Sequence, residues 1–189
     1  MVALKFNPKL VAKAEIGWWK AHNDKDKRKM LKFLIQQYIE LYSMTENEAK
    51  VTLKPLVVAT KYHDSRNWKQ AKETVTNHYN LVKRKTKQNF EPRELAELEV
   101  GWWKIHDELE DSFDKSSLAE TFAKLYATQY GIDKEKMKKA GKLKAQATYE
   151  HDLAEDPNTP AKQTEAHWRK AEKLLVDFYN ELGRVSNSE

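Results

Sequence analysis

The residues best suited to chemistry in this sequence are histidines and acidic residues that occur twice at matching positions. Glu15 and His22, seven residues apart, correspond to Glu99 and His106, and a later His-Asp pair is also repeated. Imidazole and carboxylate groups together form donor sets that suit iron, manganese or zinc. The sequence contains no Cys, which excludes thiolate ligands and disulfides. The predicted metal ligands are Glu15, His22, His63, Glu99, His106 and His151.

Neighbouring acidic and aromatic residues complete the predicted site. A carboxylate beside a ligating histidine commonly orients its ring, so we assign that role to Asp64 and Asp152. Aromatic residues that recur on the same predicted helices would line a pocket for a small apolar or aromatic ligand. The predicted pocket residues are Trp18, Trp102, Tyr38 and Tyr126.

A second interpretation of the same pattern is purely structural. In it, Glu and His form a buried hydrogen-bonded pair that joins the first and third helices of each unit, and Asp64 caps the following helix. The sequence lacks the Glu-x-x-His pairs of dinuclear sites in helical bundles, and also glycine-rich phosphate loops and nucleophile elbows. The pattern therefore predicts inward Glu and His ligands without naming a reaction, and both interpretations stay open.

These residues belong to a repeat that covers most of the chain. The segment 6–22 returns as 90–106, including the tetrapeptide GWWK, and further matches follow at offsets that grow from 84 to 88 to 100. Insertions therefore fall between the matched blocks, as they do when loops lengthen. Self-similarity on this scale predicts a tandem duplication, with a first helical repeat at 1–88 and a second at 89–189 that pack as one globular unit.

The hydrophobic pattern of each repeat is helical. Apolar residues recur at spacings of three and four, and only five Gly and five Pro are available for the tight turns of an all-β fold. Proline favours a first helical turn at Pro8 and at Pro92. We therefore predict an all-α fold in which a four-helix unit is duplicated with pseudo-twofold symmetry, giving about eight helices. The other predicted helices are 27–43, 46–63 and 66–84 in the first repeat and 115–130, 133–153 and 160–184 in the second.

Helical projection divides the first helix into a core face and a flank. Leu10 and Trp18 fall on the predicted core face, and Glu15 and His22 fall on its flank. Glycine on such a face, at Gly17 and at the matching Gly101, predicts close approach of a neighbouring helix.

Charge is distributed unevenly along the chain. Residues 1–88 carry 19 Lys and Arg against 8 Asp and Glu, a net charge of +11, whereas 89–189 carry 15 against 21, a net charge of −6. One explanation of this pattern is mutual attraction of the two halves, and the alternative is a basic surface that only the first repeat presents. A basic first half with the run Lys83-Arg84-Lys85 also fits an alternative function, a non-enzymatic helical binding module for a protein or nucleic acid.

The repeated constellation predicts a helical metal-binding protein with a Glu/His site between or within the repeats. Its enzymatic form would be a small non-haem, metal-dependent oxidoreductase, and the sequence does not decide whether the protein is an enzyme. No run of about 18 apolar residues could span a bilayer, and the start of the chain lacks the apolar run of a signal peptide. We therefore expect a cytoplasmic protein without a membrane partner.

Overall fold

The structure, a computed structural model, describes residues 5–109 and 112–187. Within these ranges the chain forms eight α-helices and no strand, which confirms the predicted all-α fold. The predicted ends of the helices agree with the observed ends within two residues. The helices are α1 (Pro8–Asn23), α2 (Lys27–Tyr42), α3 (Glu46–Asp64), α4 (Trp68–Thr86), α5 (Pro92–Glu108), α6 (Ser116–Tyr130), α7 (Lys134–Glu155) and α8 (Ala161–Ser186).

Local sequence signals explain several helix ends. The Asn7 side chain accepts hydrogen bonds from the first backbone N–H groups of α1, and Pro8 occupies its first turn. At the start of α3, Thr45 and Glu48 form a reciprocal capping box. Gly131 ends α6 in the left-handed conformation, with φ of 67°, which a glycine adopts without steric cost.

One predicted cap lies elsewhere. The side chain that caps α4 belongs to Asn67, which accepts a hydrogen bond from the backbone N–H of Gln70 at 3.3 Å. Asp64 is the last residue of α3, so the structural interpretation in which Asp64 caps the next helix is wrong. The side chain of Asp64 is instead 74% exposed to solvent.

The helices close into a ring. Each helix packs against its neighbours in sequence, and α8 returns to pack against α1. Helices joined by short connections pack antiparallel, so the odd-numbered helices run in one direction and the even-numbered helices in the other. Contacts between helix ends agree with this arrangement, since His63 near the end of α3 meets Asp107 near the end of α5.

The buried face of α1 differs from the predicted one. Leu10, predicted to face the core, is 51% exposed. The buried residues include Val11 and Trp19, and also Glu15, which the projection placed on the flank. The face is rotated because α1 is buried on two sides, by α2 and by α8, whereas a single apolar stripe describes a helix that packs on one side.

The two matched glycines have different surroundings. A Cβ atom added at Gly17 would lie 2.6 Å from the ring of Phe33, so the close approach predicted there is confirmed. A Cβ added at Gly101 would meet no atom within 4 Å, so the same prediction for Gly101 is wrong. No helix of the described residues has the length and apolar character needed to cross a membrane.

Candidate functional site

The ring of helices encloses a cavity of about 430 Å³. The residues predicted from the sequence as metal ligands, together with Asp64 and the predicted pocket aromatics, all contribute to its lining. Asp152 is the predicted site residue that does not. The lining residues from that prediction are Glu15, His22, His63, Glu99, His106, His151, Asp64, Trp18, Trp102, Tyr38 and Tyr126.

The histidines and the glutamates occupy different depths of the cavity. His22, His63, His106 and His151 lie near the C-terminal ends of the odd-numbered helices, which point the same way. The glutamates precede His22 and His106 by seven residues, which places them about 10 Å farther along the helix axis. Since the lining at the histidine end includes the exposed side chains of His22 and Asp64, the cavity reaches the protein surface at that end.

The structure brings together two of the predicted histidines and Asp152. His106 Nε2 lies 2.9 Å from Asp152 Oδ1, and His151 Nδ1 lies 3.1 Å from the same oxygen. One donor atom from each of the three residues lies within 4.8 Å of the others, and among the described residues this is the group of potential metal ligands that comes together. Asp152 therefore contacts two of the predicted histidines, and its predicted role as an orienting residue stays a prediction.

Two further charged groups hold this cluster in place. Lys115 Nζ lies 2.8 Å from Asp152 Oδ2, and His151 Nε2 lies 3.1 Å from Glu155 Oε1. Burial lowers the pKa of His151, but its hydrogen bonds to the carboxylates of Asp152 and Glu155 outweigh that effect and raise the pKa to about 9. Burial raises the pKa of Asp152, but the hydrogen bonds from His106 and His151 hold it well below its usual range.

The residues of the first half of the chain that match these in sequence make a looser arrangement. His63 Nε2 lies 3.2 Å from Asp107 of α5, and His63 Nδ1 lies 3.6 Å from Asp64. His22, which matches His106, is exposed to solvent. His63 and His22 are therefore placed at the cavity without joining the group formed by His106, His151 and Asp152.

Glu15 is buried in a contact with a lysine that the sequence did not reveal. Its carboxylate accepts a hydrogen bond from the Tyr179 hydroxyl at 2.7 Å and forms an ion pair with the buried ammonium of Lys144. That ammonium also lies 5.1 Å from the ring centroid of Trp19 and 5.4 Å from that of Phe178, within the range of cation–π attraction. The structural interpretation, in which Glu pairs with His, is wrong for Glu15.

Glu99 has the matching tyrosine but not the matching lysine. The Tyr79 hydroxyl donates a hydrogen bond to Glu99 Oε2 at 2.9 Å, as Tyr179 does to Glu15. Within residues 5–109 and 112–187, no cationic side chain lies within salt-bridge distance of Glu99. Burial raises the pKa of Glu99, and the hydrogen bonds from Tyr79, Trp102 and Trp103 and the charge of Lys144 offset this only in part.

Sequence reasoning missed several buried polar residues of the cavity, among them Lys144 and His78. Lys144 belongs to a lysine-rich stretch that reads as a solvated helix face, yet it is 5% exposed. The sequence did contain a signal that Lys144 is buried, because Lys144 aligns with the apolar residue Leu56 in the other copy of the repeat. His78 is 2% exposed and lies outside the matched histidines, since its counterpart is Phe178.

Buried tyrosines and amides line the remaining wall of the cavity. The Gln129 amide donates to the Tyr42 hydroxyl at 2.8 Å, and the Gln37 amide donates to the Tyr179 hydroxyl at 3.0 Å. Burial raises the pKa of Tyr42 to about 12 and those of Tyr126 and Tyr130 well above the usual range. These hydroxyls therefore stay protonated at neutral pH and can act as hydrogen-bond donors towards the cavity.

The basic run considered for nucleic-acid binding lies in the last turn of α4. Lys85 of this run pairs with Glu48 at 2.9 Å, and Arg84 is exposed. Nucleic-acid or protein binding through this surface stays a prediction.

No protein-family model, no curated protein and no solved structure matches this chain.

Proposed function

We propose that this protein binds a divalent transition metal through His106, His151 and Asp152, at one end of the aromatic cavity. The observation that carries the proposal is the convergence of two imidazole nitrogens on one carboxylate oxygen, at 2.9 and 3.1 Å. When an ion binds two donors at right angles and lies about 2.1 Å from each, the two donors are about 3.0 Å apart. The observed separations therefore suit a shared ion without large movement of the side chains.

The surroundings of the three residues also suit a metal centre. Glu155 contacts the ring nitrogen of His151 that faces away from Asp152, and a carboxylate in this position orients a ligating imidazole. Lys115 contacts the second oxygen of Asp152, so the first oxygen remains available as a donor. His151 would lose a proton when it binds the ion, because an imidazole must be neutral to ligate.

The donor set restricts the chemistry. Two histidines and one carboxylate leave coordination positions open for other molecules, an arrangement typical of non-haem iron(II) oxygenases. The adjacent cavity and its aromatic lining suit a small apolar or aromatic substrate. We therefore favour a non-haem, metal-dependent oxidoreductase, with manganese and zinc as the other ions that these donors accept.

The asymmetry of the site has a simple origin if the chain is a tandem duplication. We infer that the two repeats descend from one four-helix unit with pseudo-twofold symmetry, and that only the second kept a compact donor set. In the first repeat His22 is exposed, and His63 contacts Asp107 without joining a group of donors. This is the arrangement expected if the first repeat has lost its donor set. Residues Glu15 and Glu99 then act in the cavity and not as ligands of this ion. The cytoplasmic location stays a prediction.

Metal content and thermal stability, measured together, test the proposal. Protein purified without chelator should contain iron, manganese or zinc by elemental analysis, and added metal should raise its melting temperature because only the folded protein offers the site. His106→Ala should lower the metal affinity at least about tenfold, since even orienting residues contribute that much. His22→Ala is the matched control and should leave the affinity unchanged.

A purely structural role of the cluster gives a different result. Asp152→Asn would then lower the melting temperature, because His106 and His151 lose a charged acceptor, while the wild-type protein neither contains metal nor responds to it. Equal metal binding by His106→Ala and His22→Ala would also contradict the proposed site.

A further inference from the structure

The two buried glutamates of the cavity have the same tyrosine partner but different charge balance. Tyr179 donates to Glu15 and Tyr79 donates to Glu99, at 2.7 and 2.9 Å. Glu15 is neutralised by the ammonium of Lys144. The repeat places Leu56, which also lines the cavity, at the position that matches Lys144.

The surroundings of Lys144 show which kind of ligand suits a buried carboxylate beside aromatic rings. The residue is 5% exposed, and its ammonium lies against a carboxylate and two aromatic rings, those of Trp19 and Phe178. A carboxylate combined with aromatic faces is the arrangement that stabilises an ammonium ion away from water. In the second repeat the protein therefore supplies its own primary ammonium to the site.

The wall at Glu99 also combines a carboxylate with aromatic residues, but among the described residues no ammonium lies at ion-pair distance from it, and Lys144 acts on it only from farther away. The Tyr79 hydroxyl donates to the Glu99 carboxylate, and Trp102 and Trp103 lie beside it. All of these residues line the cavity. A buried carboxylate without a cationic partner is costly to ionise, so a cation that enters the cavity would relieve a cost already present in the fold.

We propose that the cavity binds a small organic ammonium ion, with its charged nitrogen at Glu99 and its apolar body between the aromatic rings. The cavity volume of about 430 Å³ lies within the range of small-molecule sites. Entry would occur at the end marked by the exposed His22 and Asp64. This site goes beyond the proposed metal function and does not depend on it, because Glu99 lies about two helical turns from His106 on α5.

Calorimetric titration with 2-phenylethylammonium tests the proposal, with 2-phenylethanol as the neutral probe of the same shape. Both titrations include a chelator, so the metal site takes no part in the outcome. The wild-type protein should bind the ammonium probe at least about tenfold more tightly than the alcohol, because only a cation pairs with the carboxylate. Glu99→Gln keeps the shape of the side chain and should remove this preference.

A second variant tests the comparison between the repeats. Leu56→Lys places an ammonium at the position that matches Lys144, where it would pair with Glu99 as Lys144 pairs with Glu15, and it should block binding of 2-phenylethylammonium. Circular dichroism tests whether each variant is folded. If a variant does not fold, the comparison of the two probes on the wild-type protein decides whether the proposal holds. Equal affinity for both probes, no binding of the ammonium probe, or an unchanged preference in folded Glu99→Gln would overturn the proposal.

Discussion

At the scale of single residues, His78 shows how burial sets a protonation state. Its Nδ1 lies 2.8 Å from the Thr52 carbonyl oxygen and its Nε2 lies 2.9 Å from the Tyr38 hydroxyl. Because a carbonyl only accepts, Nδ1 carries the proton and Nε2 accepts from Tyr38. Burial lowers the pKa of His78 from 6.5 to about 4, although the bond to the Thr52 carbonyl opposes this.

This shift predicts a pH dependence of stability. The unfolded chain takes up a proton on His78 below pH 6.5, whereas the folded protein resists it until about pH 4. Folding stability should therefore fall as the pH drops through this window, by up to about 3 kcal/mol from this residue. Urea unfolding of the wild-type protein at several pH values between these limits measures the slope.

His78→Phe is the informative variant, because Phe178 occupies the matching position of the second repeat. It should cost about 1–3 kcal/mol at neutral pH by leaving the Tyr38 hydroxyl and Thr52 carbonyl unpaired. The difference in stability between wild type and variant should shrink as the pH falls. A difference that stays constant over the window would show that His78 does not titrate as inferred.

The sequence predicted which residues meet at the cavity better than it predicted their partners. Repetition identified Glu15, Glu99 and the four matched histidines, and all of them line one cavity. Pairing depends on long-range packing, so the contact of Glu15 with Lys144, 129 residues away, could not be predicted from spacing within a helix. The exposed state of His22 was hidden for the same reason.

At the scale of helices, the sequence predicted existence and length well because capping and periodicity are local. Asn7, Pro8 and the capping box at Thr45 act within a few residues of the helix ends they define. The face that each helix buries depends on its neighbours, which local patterns do not specify. The misplacement of Leu10 and the wrong expectation for Gly101 both follow from this difference.

The contact between α6 and α7 gives a prediction at this scale. A Cβ atom added at Gly141 would overlap the backbone carbonyl oxygen of Ala119 and lie 2.8 Å from the backbone nitrogen of Ala123. Backbone atoms cannot move without shifting the helix, so Gly141→Ala should destabilise the protein by about 1–3 kcal/mol or more. Denaturant unfolding measures this change.

Gly101→Ala is the control in the same fold. It lies inside α5, where added atoms meet nothing within 4 Å, and alanine in a helix interior is more favourable than glycine by about 0.5–1 kcal/mol. We therefore expect opposite signs for the two substitutions. A destabilised Gly101→Ala, or a neutral Gly141→Ala, would contradict the packing described for these helices.

At the scale of the whole molecule, the hydrophobic core does not follow the predicted boundary between residues 1–88 and 89–189. One buried cluster joins residues of α2, α3 and α4 with those of α5, including Trp103, and with four residues of α6 and α7. The other joins residues of α6, α7 and α8 with those of α1, including Trp19. Helices α5 and α1 therefore each pack into a cluster formed mainly by the other half of the chain, and neither cluster lies within one half.

This exchange predicts that the two halves fold only together. Fragments 1–88 and 89–189, cut in the connection between α4 and α5, should each show little helical signal and no cooperative melting, because each lacks a helix that its main cluster requires. Mixing should restore helical circular dichroism and a 1:1 complex in sedimentation.

Since the fragments carry net charges of +11 and −6, screening by 0.5 M salt should weaken their association by about tenfold. The intact chain in the same salt series is the control, because its halves cannot dissociate and its stability should change far less. A fragment that melts cooperatively by itself would show that a single repeat is an independent domain, and association indifferent to salt would remove the attraction between the halves as the explanation of their opposite charges.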